Sequence, residues 1–170
     1  MPKLAYLASA LLLLFIIVIS VFSYQSEESI IEQAGNTAEE TFYHDDIPKD
    51  NYKGEHFSFF LPDSMEVEEV DDFNAILESG NKTIIIFYNT LEGNLSKLNY
   101  EAASTDKAVL FDSFEDDDKF GYIRILPTDT EGEYEIQIGV GGVKVTTITD
   151  KSEVINDAEN LMNIALSIVH

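Results

Sequence analysis

The hydrophobic pattern divides the chain into three stretches. From Leu4 to Phe22 it is an uninterrupted apolar run with no charge, Gly or Pro. As a helix this run reaches roughly 28 Å, close to the hydrocarbon thickness of a bilayer, so it predicts one transmembrane helix within an anchor region over 1–25. The next stretch, residues 26–51, keeps only a thin apolar stripe. Ser26 is placed to cap a helix, Glu27 and Glu28 suit its first turn, and Ile30, Ile31, Ala34 and Ala38 share one side. Gly35-Asn36-Thr37 weakens that helix, as does the lack of Lys or Arg between Ser26 and Tyr43 to pair with its glutamates. His44 to Asn51 then punctuates with Asp, Pro and Asn. Residues 26–51 read as a juxtamembrane spacer, part helix and part coil.

Near Tyr52 the period changes to two, and a domain over 52–170 begins. Phe57, Phe59 and Leu61 alternate onto one face of a strand that runs into a Pro62-Asp63 turn. Met65 to Glu68 and Phe73 to Leu77 continue as strands. Ser79-Gly80-Asn81 supplies the residues of a hairpin loop. Thr83 to Tyr88 is apolar at nearly every position, which predicts a central strand covered on both faces and the most buried element. Asn94 is placed to cap a short helix presenting Leu95, Leu98 and Ala102. Strands follow at Ala108–Asp112, Phe120–Leu126, Tyr134–Ile138 (with Tyr134, Ile136 and Ile138 inward) and Val143–Thr149. Gly139, Gly141 and Gly142 mark a bulge or tight bend. The clearest helix is the last, with Asp150 as N-cap, Glu153 three residues on, and Ile155, Ala158, Leu161, Met162, Ala165, Ile168 and Val169 forming its stripe. The predicted class is α+β: an antiparallel sheet of six to seven strands packed by a C-terminal helix and preceded by one transmembrane helix.

Charge narrows the partners. Ten Lys and Arg face 32 Asp and Glu, a net charge of −22, and Lys3 is the only base before Lys49. Such a field repels phosphate backbones and anionic headgroups, so no nucleic acid is expected as a partner. The basic start at Met1-Pro2-Lys3 predicts a cytoplasmic N-terminus and a translocated acidic domain on a single-pass cell-membrane protein. A cleaved signal peptide is the competing expectation, with Val21-Phe22-Ser23 as its best site. There is no Cys, hence no disulfide framework, thiolate metal site or thiol nucleophile.

Candidate chemistry is thin. His44-Asp45-Asp46 with His56 is the only His–carboxylate grouping, and its spacing matches no metal motif. The acid-rich stretches Glu115–Asp118 and Asp129–Glu135 invite calcium but depart from an EF-hand loop. Gly139-Val140-Gly141-Gly142 lacks the Lys-Ser/Thr pair of a phosphate cradle, and no Ser sits in a nucleophile elbow with His56 or His170. Arg124, the only arginine, is expected to pair with an acid across strands. No catalytic, cofactor-binding or metal residue is assigned, and no cofactor is expected.

The order of elements over 52–170 resembles the PsbP-like superfamily of α+β extracytoplasmic domains. The matching features are the aromatic strand entering a Pro turn, Phe57-Ser58-Phe59-Phe60-Leu61-Pro62-Asp63, the strand meander, a mid-chain helix and the closing helix from Asp150. Met65 stands where that superfamily commonly places an aromatic. The chain as a whole also resembles small bacterial membrane-anchored proteins of unassigned role. The resemblance implies a noncatalytic domain that binds or assists a membrane or envelope protein. A small-ligand or divalent-cation sensor is the alternative expectation.

Overall fold

A computed structural model describes residue 6, residues 11–17 and residues 26–169. Residues 11–17 are helical and exposed, and the remainder of the expected membrane span Leu4–Phe22, apart from Tyr6, lies outside the described residues. Among the described residues no helix is long and apolar enough to cross a membrane.

Helix α1, Glu27–Phe42, opens as its sequence predicts, with Ser26 Oγ accepting the amide of Ser29 at 3.2 Å. It is more than a spacer. Ile30, Ile31, Ala34, Ala38 and Phe42 are buried members of the main hydrophobic core. Gly35, which weakens the helix as an isolated segment, lets it sit close to β6, since a Cβ there would stand 3.0 Å from Leu110 Cδ2 and push that side chain slightly aside. Residues 26–51 therefore supply a core helix, a correction to the loose spacer and to a domain beginning only at 52.

Nine strands follow: β1 Tyr52–Lys53, β2 Ser58–Phe59, β3 Glu66–Val70, β4 Asn74–Ser79, β5 Lys82–Tyr88, β6 Leu110–Glu115, β7 Phe120–Pro127, β8 Glu133–Val140 and β9 Val143–Asp150. Seven form one antiparallel sheet in the order β3-β4-β5-β9-β8-β7-β6, while β1 and β2 make a separate two-stranded ribbon. The aromatic strand at Phe57 is thus only two residues long, although Phe57 and Phe59 are buried as their alternation predicts. Three hairpins carry a glycine at positive φ in their connection, Gly80 at 63°, Gly132 at 78° and Gly141 at 53°, where other residues are strained. Gly141 also lies so close to the chain at Asn94 that a Cβ would be 2.6 Å from its Cα.

The closing helix α3, Val154–Val169, begins later than the capping pattern predicts. Asp150 is the last residue of β9, opposite Glu133, and a turn intervenes before the helix. The sheet ladder takes Asp150 first, so it does not serve as the N-cap. The helix then buries Val154, Ala158, Leu161, Met162, Ile164, Ala165 and Leu166.

α1 and α3 lie side by side on one face of the sheet and run in the same direction. Glu27 meets Tyr134 and Asp157 meets Thr149, and Tyr134 and Thr149 are directly opposed in the ladder. At the other end Phe42 lies against Gly121, and Asn94 donates to the Val169 carbonyl at 2.9 Å. The sheet face beneath them is apolar row by row, for example Val70–Ala75–Ile86–Val145–Ile138–Ile123.

Candidate functional site

The opposite face of the sheet is divided. Over β8-β7-β6 it is roofed by helix α2, Leu98–Ala103. Tyr100 stacks on Phe111 with ring centroids 4.7 Å apart and meets Phe120 and Tyr122 edge-on at 5.3 and 5.8 Å. This aromatic contact explains why α2 does not use the expected face: Leu95, Leu98 and Ala102 are exposed, and Ala103 is buried. Asn94 does not cap it either, since its side chain is committed to Val169.

The roof is fastened by polar contacts. Arg124 donates to the Ala103 carbonyl at 3.0 Å and to Glu135 at 2.5 Å, the cross-strand acid pairing expected of it. Gln137 donates to the Tyr122 hydroxyl at 2.7 Å in a space left by Gly139, whose Cβ would overlap the Tyr122 ring. Burial pushes the Tyr122 hydroxyl up to about 12, against partial opposition from Gln137 and Arg124.

Over β4-β5-β9 the same face is open. Ile85 is 49% exposed and Ile148 43%, with half-buried Ile76 and Phe87 beside them. The register places Ile76 directly opposite Ile85, and Ile85 opposite Thr146, so Ile148 lies diagonal to Ile85 on the same side. Lys144 Nζ lies 5.3 Å from the centre of the Phe87 ring. β5 is thus an interior strand of the sheet, third of seven, but covered on one face only, contrary to its apolar run. The most buried strand is β8, whose last five residues are all buried.

A second polar cluster sits at the edge of the core. Lys82 Nζ lies 2.8 and 2.7 Å from the two carboxylate oxygens of buried Asp157 and 2.8 Å from Glu153. Thr149 donates to Asp157 as well. Burial alone would lower the Lys82 pKa, but the hydrogen bonds from Asp157 and Glu153 outweigh it and the pKa is raised. One ammonium on β5 thus bridges two carboxylates at the start of α3, which fastens that helix to the sheet. At the neighbouring corner Tyr134 donates to Glu27, and burial followed by that carboxylate pushes the Tyr134 hydroxyl up to about 12.

The remaining candidates are dispersed. His56 pairs with Asp72 at 2.8 Å, whereas His44 Nδ1 accepts the Asp46 amide at 3.1 Å. Among the described residues no group of three His or acidic side chains converges as a metal site would require. Asp116, in the acidic hairpin, accepts from the amides of Asp118 and Lys119 and from Lys119 Nζ. Burial opposes its ionisation, but the Lys119 and amide bonds hold its pKa below the usual value. The acidic loop is therefore partly self-satisfied. His170 lies outside the described residues.

No protein-family model and no curated protein matches this chain.

Proposed function

We propose that this protein is a single-pass, membrane-anchored, noncatalytic domain that binds or assists a membrane or envelope protein outside the cell membrane. The observation carrying it is the open apolar stripe of Ile85, Ile148, Ile76 and Phe87 on a sheet face that is roofed elsewhere in the same molecule. An apolar surface left uncovered on an otherwise strongly acidic domain favours a contact with a second protein. The apolar run Leu4–Phe22 supplies attachment, with the N-terminus cytoplasmic. Confinement to a membrane raises the effective concentration of such a surface toward other membrane proteins. The PsbP-like pattern points the same way by analogy.

The test places a photocrosslinking side chain at position 85 or 148 of the full chain in its native membrane, with position 63 as an exposed control. Partner reading expects one discrete adduct from 85 and 148, absent at 63 and lost in Ile148→Lys when the probe is at 85. Equal labelling at all three positions would count against it. Alkaline extraction of membranes tests the anchor, since a spanning helix keeps the full chain in the pellet.

A further inference from the structure

The sheet has two edges, and they are built differently. β3 is short, interrupted by a register shift between Val67 and Glu69, and carries Glu66, Glu68 and Glu69. Those are the devices by which proteins discourage pairing at an edge. β6 has no register shift, Pro or Lys: it pairs residue for residue with β7 from Leu110 to Glu115, and its only charges are Asp112 and Glu115. At its far end the Tyr43 hydroxyl bonds the outward carbonyl and amide of Glu115 at 3.2 and 3.4 Å. The two-residue alternation of an antiparallel ladder gives Phe111 and Ser113 the same outward backbone groups, and nothing among the described residues caps them.

Beside this uncapped segment, between β6 and the first turns of α1, runs an open groove of about 790 Å³. Ile31, Val109 and Leu110 line it with apolar surface, Glu28, Glu32 and Asp112 add carboxylates, and no Lys or Arg is among its lining residues. Backbone donors and acceptors spaced in a row match the spacing of another extended polypeptide backbone, which can replace the water that otherwise satisfies them. The carboxylates select the side chains that come with it.

We infer that β6 is a docking edge for an extended, cationic amphipathic segment of a partner protein, added as an eighth strand across Phe111 and Ser113. The side chains of that segment that face the groove include both kinds: Lys or Arg neutralise Glu28, Glu32 and Asp112, and an apolar residue between them meets Ile31, Val109 and Leu110. The inference is independent of the open stripe on β4-β5-β9, which lies on the other side of the sheet from the groove.

The test uses the full chain in neutral-lipid nanodiscs and the capped hexapeptide Lys-Thr-Val-Thr-Lys-Thr as probe, whose Lys and Val share one face, with Glu-Thr-Val-Thr-Glu-Thr as control. Hydrogen exchange at the Phe111 and Ser113 amides should slow at least tenfold with the cationic peptide and not with the acidic one. Ser113→Pro removes an outward N–H without touching the β7 ladder and should abolish the effect. Glu32→Lys, on the helix surface, should weaken it severalfold, whereas Ile85→Lys should leave it unchanged. Protection spread equally over β3 and β6, or surviving both Ser113→Pro and Glu32→Lys, would show general charge attraction and overturn the inference. So would a concentration-dependent dimer of the chain that Ser113→Pro disperses, because the edge would then be filled by a second copy.

Discussion

Ile85 and Ile86 are neighbours on one strand, and they show how differently the two faces of the sheet are used. Ile86 belongs to the main core on the helix-bearing face and is fully buried, while Ile85 is half exposed on the face that α2 roofs only in part. The helix face carries stability through continuous apolar rows. The other face combines an aromatic roof with an unroofed stripe, so identical residue types there have a different consequence. A fully buried isoleucine holds the fold together, and a half-exposed one is available to something else.

The sharpest way to break this comparison is to truncate both isoleucines. Ile86→Ala should cost about 2–5 kcal/mol of unfolding free energy in a urea titration. Ile85→Ala should cost less than about 1 kcal/mol. Equal losses would mean that the two faces are equally covered. Next, Lys82→Met leaves buried Asp157 without its cation and should cost about 3 kcal/mol. Adding Asp157→Leu should recover most of that, since the buried charge disappears along with its partner.

Alkaline pH offers a third comparison, between titration on the two faces. Tyr134 under the helices and Tyr122 under the roof both rise from 10.0 to about 12, and Lys82 rises above 10.5. In each case the folded state holds its proton to higher pH than the unfolded chain does. For the two tyrosines the stabilisation is therefore complete below about pH 10 and is lost as pH climbs through 12, by about 2–3 kcal/mol for Tyr122 alone. A Tyr122→Phe variant should show a shallower decline of the urea midpoint between pH 10 and 12 than the parent. The smallest effect is expected from millimolar Ca²⁺, which should shift the melting temperature of the domain by no more than Mg²⁺ does. A larger, Ca²⁺-selective rise would favour the sensing alternative over the binding surface.

Much of the sheet was legible because strand alternation is a strong local signal. Tyr134, Ile136 and Ile138 point inward as their spacing requires, the Gly80 hairpin falls where predicted, and Gly141 sits in the tight bend that its neighbouring glycines mark. What alternation cannot say is which faces find a cover. Thr83 to Tyr88 is apolar throughout, so nothing in that run marks Ile85 as the residue left open. α1 was obscured by Gly35, whose cost within an isolated helix is visible in sequence while its benefit depends on Leu110, far along the chain. α2 was obscured for a similar reason, because Tyr100 outweighs the leucines only once Phe111, Phe120 and Tyr122 are gathered beneath it. The open edge at β6 has no local signature either, since strand order in the sheet decides it.

The pairing of α1 with α3 also dictates a folding order. These helices are the first and last elements of residues 26–169, yet they share one hydrophobic core. During synthesis α1 emerges early and has no finished surface to join until the final sixteen residues of α3 are made. Closing so long a stretch of chain is slow and unrewarded until its end, although most of the sheet between them pairs consecutive strands. The nascent chain must therefore keep the apolar side of α1 from other partners while the sheet assembles, and the core can close only when its C-terminal helix arrives.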